Sequence, residues 1–240
     1  MSKLEAYSRK SDYSYCLGIY PSLTLLEARP DVATRLLLSP AGYGSEGVDK
    51  LRARCRELGI REEEAERALR REAKKDNCFA AVVFDKYEAA LDPGAVHVVL
   101  HRISDGGNLG TALRSCLGFG IRDVAVIRPC VDAFDPHVLR ASMGAFFRMN
   151  VRMYDDFEAY RNDHPNHALY PFMLTGARPL GELKRDHDTP YALVFGNEAT
   201  GLPDEFAGMG QSVFIEQTDE IDSLNLGVSV ALGVYGFTRG

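Results

Sequence analysis

Short apolar segments alternate with segments of helical character from residue 96 onward, and this alternation limits how the chain can fold more than any other feature. Strand-like segments lie at 96–100, 123–127, 149–154, 191–196 and 212–216, and a long apolar helix is expected over 224–238. Strands that alternate with helices predict an α/β fold, with a mostly parallel sheet and helices on both faces. Ligands bind such sheets beyond the carboxyl ends of the strands, so function is sought in the loops at those ends.

The first 92 residues predict a small α/β domain of their own. Apolar residues at helical spacing indicate a helix over 48–58, and oppositely charged pairs indicate a second helix over 61–72. The turn signal Asp92-Pro93-Gly94 then marks a boundary. We therefore expect two domains, 1–92 and 93–240.

The charge balance argues against one class of nucleic-acid-binding protein. The net charge is −6, and residues 1–92 hold equal numbers of basic and acidic side chains, so the whole deficit falls on 93–240. Phosphate binding requires Lys and Arg, so a chain that coats nucleic acid through bulk charge is not expected. No apolar run reaches the roughly 18 residues that a membrane helix needs, so no transmembrane protein is expected either.

Cysteine and histidine usage favours a cytoplasmic protein without a metal site. The five cysteines are scattered and form no Cys-x-x-Cys pair, which is typical of reduced thiols rather than of a disulfide framework or a zinc site. The N-terminal segment lacks the apolar core of a signal peptide. His164 and His167 flank Pro165 without further ligands nearby, while His97 and His101 share one strand face. We interpret these histidines as packed or surface residues and expect no metal.

Three loops at predicted strand ends contain glycine and polar residues suited to a ligand. The loop 104–110 is rich in glycine, which lets a backbone approach a ligand closely, and it leads into a helix whose free N–H groups attract anions. The loop 196–203 holds two glycines and a carboxylate, and 215–225 leads into the closing helix. Each loop also fits a structural interpretation: a tight turn, a connection with Pro203 at a helix start, or a helix cap at Ser223.

Four segments in register resemble the signature motifs of one family. They are NLGTALR at 108–114, DPHVLRASMGAFFR at 135–148, VFGNEATGLP at 194–203 and DSLNLGVSVAL at 222–232. In this order they resemble the TrmH/SpoU family of RNA ribose 2′-O-methyltransferases, within the SPOUT superfamily. The resemblance covers 95–238, and the first domain resembles the small RNA-binding α/β domain that precedes many members.

The resemblance implies a fold, a cofactor and an assembly. The fold is the SPOUT α/β knot, in which the chain is threaded into a deep trefoil knot near the C-terminus. S-adenosylmethionine is expected inside the knot, held by Gly196, Gly201, Ile215 and Leu224. The family resemblance further implies a homodimer that packs the closing helix at its interface and acts on ribosomal or transfer RNA.

The resemblance also assigns roles in methyl transfer to a ribose 2′-hydroxyl. Arg114 matches the family's key arginine, either as a base or as a charged group that orients a phosphate and stabilises the developing alkoxide. Asn108 is expected to orient Arg114 or the ribose, and Glu198 to hold Arg114 or the target nucleotide. Ser223 and Asn225 match the pair that shapes the cofactor pocket and the approach of the target.

Basic residues provide candidate RNA contacts. Arg140 is a candidate phosphate ligand, with a structural hydrogen bond as an equal alternative. In the first domain, Arg52, Arg56, Lys74 and Lys75 lie in a basic cluster that suits RNA and equally suits a solvated helix face.

The chain departs from the family pattern at two places. Ile215-Glu216-Gln217 stands where the family usually shows Ile-Pro-Met, and Gly236 follows Tyr235 where a Glu is common. The first hypothesis is an S-adenosylmethionine-dependent RNA ribose 2′-O-methyltransferase. The alternatives are a non-catalytic RNA-binding or assembly factor on the same fold, and an enzyme that methylates a base.

Overall fold

The computed structural model of the protein describes residues 5–74, 77–174, 177–183 and 189–239, and within it the chain forms two compact units. The first consists of Met1–Tyr87 with Phe134–Arg148, and the second of Glu88–Ala133 with Met149–Gly240. The boundary predicted at residue 92 assigns 134–148 to the second domain, whereas the structure groups this segment with the first unit. The physical reason is aromatic packing, because the ring of Phe84 lies 6.3 Å from that of Phe134 and 5.2 Å from that of Phe147.

Among the described residues up to 85, the chain forms four strands and three α-helices. The strands are β1 (Tyr13–Leu17), β2 (Ala33–Leu38), β3 (Arg61–Glu64) and β4 (Ala80–Asp85), and the helices are α1 (Ile19–Ala28), α2 (Glu46–Glu57) and α3 (Glu66–Ala73). The sheet order is β1-β4-β2-β3. β4 pairs antiparallel with both β1 and β2, while β2 and β3 are parallel.

The helix predicted over 61–72 is wrong in its first part. Arg61–Glu64 form β3, which pairs with β2 at the edge of the sheet, and α3 begins only at Glu66. An edge strand tolerates charged side chains because one of its sides faces solvent. The local charge pattern therefore predicted a helix where pairing with β2 imposes a strand.

The remaining chain alternates strands and helices as predicted up to residue 171, and beyond it the described residues form three further strands before the closing helix. Its elements are β5 (His97–His101), α4 (Gly106–Gly118), β6 (Asp123–Ile127), α5 (Pro136–Ala141), β7 (Asn150–Tyr154), α6 (Phe157–Asp163), β8 (Ala168–Pro171), β9 (Arg178–Pro179), β10 (Tyr191–Phe195), β11 (Val213–Phe214) and α7 (Leu226–Arg239). Within the motif segment 135–148, α5 ends at Ala141. Met143 and Gly144 follow with φ of 52° and 85°, and a Cβ on Gly144 would lie 2.8 Å from Thr24, so the chain turns there.

The second unit contains a five-stranded parallel sheet of order β7-β6-β5-β10-β8. One face packs against α6, where Tyr160 joins a buried cluster with Val99 and Val194. The other face carries α7, whose Gly233 approaches so closely that a Cβ there would lie 2.8 Å from Phe195. The predicted parallel sheet with helices on both faces is therefore confirmed, while the trefoil knot stays a prediction.

Membrane insertion finds no support in the described parts of the chain, where no helix is both long and apolar enough to span a bilayer.

His101 ends β5 as a buried, neutral imidazole. Its side chain is 5% exposed, and its Nδ1 atom has no hydrogen-bond partner among the described residues. Burial, aided by the neighbouring charge of Arg102, lowers the pKa of His101 from 6.5 to about 4.

We therefore predict an acid-sensitive contribution of His101 to stability. The unfolded chain takes up a proton at His101 below pH 6.5 and the folded protein only near pH 4, so stability is lost as the pH falls through this window. At about 1.4 kcal/mol per pKa unit, the loss reaches roughly 3 kcal/mol. Denaturant unfolding from pH 7 to 4 should show this loss in the wild type and in the exposed control His137→Leu. Equal pH dependence of wild type and His101→Leu would contradict the prediction.

Candidate functional site

A cavity of about 440 Å³ lies in the second unit, at the carboxyl ends of β8 and β10. Loops after β10 and β11 and the segment that leads into α7 form most of its wall. The four residues that the family resemblance assigns to the cofactor all line it: Gly196, Gly201, Ile215 and Leu224. The sequence therefore identified residues that are scattered along the chain and meet at one cavity.

Close backbone contact explains why glycine stands at position 196. A Cβ on Gly196 would lie 2.2 Å from the carbonyl carbon of Gly201 and 2.4 Å from the backbone nitrogen of Leu202. Gly201 itself has a φ of 67°, which favours glycine. Any larger residue at 196 would push the loop 197–201 away from the end of β10.

Asn197 holds that loop in place, although the sequence analysis did not single it out. Its backbone N–H donates to the carbonyl of Gly201 at 3.2 Å, and its Oδ1 accepts the backbone N–H of Ala199 at 2.9 Å. Its Nδ2 donates to the carbonyl of Arg102 at 2.8 Å, which connects this loop to the end of β5. The sequence signal that could have identified Asn197 is its position directly after Gly196 in this loop.

The carboxylate of Glu198 accepts hydrogen bonds from Ser104, Asp105, Asn108 and Asn197. Oε2 accepts from the backbone and hydroxyl of Ser104 and from Asn197 Nδ2, at 3.3, 3.1 and 3.3 Å. Oε1 accepts from the backbone N–H of Asp105 at 3.3 Å and from Asn108 Nδ2 at 3.1 Å. Two loops that are more than 90 residues apart in sequence are thus joined through one side chain.

These bonds determine the charge state of Glu198. Burial pushes the pKa of the Glu198 carboxyl upward, but hydrogen bonds from its own backbone, Asn108, Ser104 and Asp105 outweigh burial and leave the pKa below its usual value. The group is therefore ionised at neutral pH and places a fixed negative charge at the cavity wall.

Asn108 and Asn225 extend this network to the closing helix. Asn225 Nδ2 donates to Asn108 Oδ1 at 2.9 Å, and Asn108 in turn donates to Glu198. Asn225 Oδ1 accepts the backbone N–H of Gly227 at 2.9 Å, so it caps α7. The expected cap at Ser223 is thus replaced by Asn225, and Ser223 lines the cavity instead.

Arg114 lies apart from this network. It occupies an exposed position on α4, and its side chain forms no hydrogen bond or ion pair among the described residues. Arg114 is six positions after Asn108. At 100° per residue, this spacing places the two side chains about 120° apart around the helix. The structure thus brings together Asn108, Glu198 and Asn225 but does not bring Arg114 to them within one chain.

The candidate RNA-binding residues lie in the first unit, where several are already paired. Arg140 Nη1 donates to the carbonyl of Ala73 at 3.5 Å, which is the structural alternative foreseen for it. Arg52 and Arg56 form ion pairs with Glu62 at 3.0 and 3.1 Å. Lys74 is exposed after α3, and Lys75 lies outside the described residues.

Apolar and acidic side chains complete the cavity wall. The rings of Phe172 and Phe195 stack at 4.2 Å and 18°, and Phe214 lines the same cavity. Asp222 contributes a carboxylate. The wall thus combines apolar rings with polar side chains, which suits an organic ligand that has both apolar and charged parts.

The sequence profile described as the SpoU rRNA Methylase family matches residues 95–235. An uncharacterized tRNA/rRNA methyltransferase of Synechocystis is 26% identical over 166 residues, which are 68% of this chain and 61% of that relative. A putative tRNA (cytidine(34)-2′-O)-methyltransferase of Listeria innocua is 29% identical over 147 residues, 60% of this chain and 86% of the relative. The chain spans less than two thirds of the length of the first curated relatives it matches.

Among solved structures, the SpoU methyltransferase AviRb from Streptomyces viridochromogenes, in complex with AdoMet, superposes with a TM-score of 0.80. The superposition covers 97% of this chain and 93% of AviRb at 20% identity. At that identity the likeness establishes the fold, and it extends over both units.

We predict that Glu198→Gln loosens the loop that begins at Ser104. Hydrogen bonds to a charged acceptor are stronger by about 1 kcal/mol than those to a neutral one, so amide exchange at Ser104 and Asp105 should become roughly five- to tenfold faster. Hydrogen exchange measured by NMR tests this, with the exposed Glu205→Gln as the matched control. Unchanged exchange in Glu198→Gln would show that the carboxylate does not hold the loop.

Proposed function

The chain belongs to the SpoU rRNA methylase family, and we propose that it transfers a methyl group from S-adenosylmethionine to a ribose 2′-hydroxyl of ribosomal or transfer RNA. One observation carries the proposal: the Glu198, Asn108 and Asn225 network forms at the edge of a cavity that is lined by all four predicted cofactor residues.

The cavity fits the proposed cofactor in size and chemistry. Its volume of about 440 Å³ lies within the range of small-molecule sites. The close backbone at Gly196 and the apolar rings of Phe172 and Phe195 suit a flat adenine ring, while the carboxylate of Asp222 suits the cationic part of the molecule. The bound cofactor supplies the electrophilic methyl carbon.

The residues of the chain bind and orient the reacting groups. The Asn108, Glu198 and Asn225 side chains hold one another in fixed positions, so the polar edge of the site is formed before RNA binds. Bond formation between the ribose oxygen and the methyl carbon would break the sulfur–methyl bond and leave its electron pair on sulfur as a neutral thioether. The hydroxyl proton would leave to solvent, and negative charge would develop on the ribose oxygen as it goes. A guanidinium ion close to that oxygen stabilises this charge, and we assign this role to Arg114.

The exposed position of Arg114 supports a homodimer. Arg114 lies on α4, which packs against α7, and α7 presents a stripe of exposed apolar residues at helical spacing: Val228, Leu232 and Tyr235. Their side chains are 46, 42 and 54% exposed, and such a stripe is typical of an interface. A two-fold pair formed through α7 would bring α4 of each protomer to the shared face, where Arg114 has access to the partner's cavity.

The first unit is proposed to bind the RNA substrate. Its fixed positive charge is limited, because Glu62 neutralises part of Arg52 and Arg56. Binding is therefore expected to depend on RNA shape and on a few phosphate contacts, for which Lys74 is available. We also propose that the second unit contains the trefoil knot of the family.

Methyl transfer from radiolabelled S-adenosylmethionine to unmodified ribosomal and transfer RNA tests the activity. We expect the wild type to place label in alkali-resistant dinucleotides of one RNA class, because a 2′-O-methyl group blocks alkaline cleavage. Arg114→Ala should lower kcat by about 100-fold or more and leave the cofactor Kd nearly unchanged. The exposed arginine on β9 provides the control, and Arg178→Ala should behave as wild type.

The other outcomes of this assay contradict parts of the proposal. Label in alkali-labile positions would indicate base methylation. Cofactor binding without transfer to any RNA would favour a non-catalytic RNA-binding factor. Loss of cofactor binding in Arg114→Ala would make that residue structural.

We predict that Leu232→Glu yields a monomer with impaired methyl transfer. A charge buried in the proposed α7 interface would remain unpaired, which strongly opposes association. Light scattering coupled to size-exclusion chromatography gives the molecular mass, and the control is Met209→Glu, which changes an equally exposed apolar residue outside α7. A dimeric Leu232→Glu variant would exclude α7 as the interface.

A further inference from the structure

Three buried histidines meet at the amino end of the parallel sheet. His97 begins β5, His164 follows α6 and His167 precedes β8, and their side chains are 0, 5 and 3% exposed. The ring of His97 lies 4.6 Å from that of His164 and 4.1 Å from that of His167. We call these three residues the histidine cluster. The sequence showed only His164 and His167 as neighbours, and folding adds His97 as the third.

Hydrogen bonds determine which ring nitrogens of the cluster carry the proton and which carry a lone pair. His97 Nε2 lies 2.8 Å from the carbonyl oxygen of Asp92, and His167 Nε2 lies 3.0 Å from that of Ala95. A carbonyl oxygen only accepts, so both Nε2 atoms carry the proton and both Nδ1 atoms carry a lone pair. Histidines that bind a metal commonly donate their other N–H to a backbone carbonyl in this way.

His164 presents the most unusual atom of the cluster. Its Nε2 lies 3.1 Å from the hydroxyl of Tyr154, while its Nδ1 is buried and has no hydrogen-bond partner among the described residues. A buried polar atom without a partner is destabilising by about 1 to 3 kcal/mol and calls for an explanation such as a bound ion.

Arg161 fixes the turn that carries two of the histidines. Its guanidinium donates to the backbone carbonyls of His164, Pro165 and His167 at 3.3, 3.3 and 2.9 Å. The backbone of the turn that carries His164 and His167 is therefore held in place.

We propose that His97, His164 and His167 bind one divalent transition-metal ion that prefers imidazole ligands, such as zinc. One ring nitrogen of each lies within 4.8 Å of the others. Tetrahedral zinc with Zn–N bonds of 2.0–2.1 Å requires nitrogens about 3.4 Å apart, so the cluster contracts by little more than 1 Å. The rings of His97 and His167 are stacked, with an angle of 25° between their planes. A ring nitrogen's lone pair lies in the ring plane, so the His167 ring would have to rotate to direct its lone pair at the ion.

The surroundings of the cluster keep its imidazoles ready to bind a metal. Burial lowers the pKa of all three rings, that of His97 to about 4, so they are in the neutral form that ligates metals. Buried Asp123 and the carboxylate of Asp163 offset the positive charges of Arg152 and Arg161 nearby. In the metal-free chain the Tyr160 hydroxyl donates to His97 Nδ1 at 3.0 Å, so the ion would displace this hydrogen bond and a water molecule would complete the coordination.

The ion would stabilise the fold and take no part in catalysis. The cluster joins the start of β5, the end of α6 and the start of β8, whereas the cavity lies at the opposite, carboxyl ends of the strands.

Metal titration of the untagged full chain tests this inference. After chelator treatment, one zinc ion per chain should bind and raise Tm by about 5 to 10 °C at a free concentration 100 times Kd. Magnesium, which prefers oxygen ligands, should cause no shift. Cobalt should give the visible bands of a tetrahedral nitrogen site without the near-ultraviolet charge-transfer band of a cysteine thiolate.

Two sets of variants distinguish the cluster from adventitious binding. His164→Gln and His167→Gln should each lose the zinc-dependent rise in Tm, while His101→Leu and His137→Leu should retain it. An absence of zinc binding by the wild type, or an equal rise in the His164 and His167 variants, would overturn the inference. If a cluster variant fails to fold, the cobalt spectrum of the wild type decides the question, since a thiolate band would assign the ion to cysteine.

Discussion

The Glu198 carboxylate connects segments on which the whole candidate site depends. Its hydrogen bonds join the loop after β5 to the loop after β10, and Asn108 passes the connection on to the N-terminus of α7. Because burial alone would favour a neutral carboxyl, the donors around Glu198 are what keep it charged. The negative charge and the geometry of the site therefore depend on the same set of bonds.

Backbone packing imposes a second constraint at the same edge of the sheet. The loop after β10 folds back so tightly that only glycine fits at position 196, and a Cβ on Gly233 of α7 would lie 2.6 Å from the ring of Phe172 and 2.8 Å from that of Phe195. These close approaches place the cavity wall next to the end of β10. A backbone packed this tightly supports a preformed site more firmly than flexible side chains would.

Much of the second unit was predictable because its signals are local. The apolar runs of β5, β6 and β10 are buried on both faces, so they read clearly as strands of a covered parallel sheet. The first unit was harder to predict. The charged segment Arg61–Glu64 carries a helical charge pattern but pairs with β2, and 134–148 joins the first unit through aromatic contacts that are distant in sequence.

The sequence by itself determined the parallel α/β fold, the loops at the strand ends and the glycines that line the cavity, since hydrophobic period and glycine placement act over a few residues. Tertiary structure decided which side chains meet. It made Asn225 the partner of Asn108, left Arg114 apart from both, and brought His97 against His164 and His167. Such contacts depend on how strands and helices that are more than sixty residues apart pack together. A local sequence pattern does not determine which of these distant residues meet.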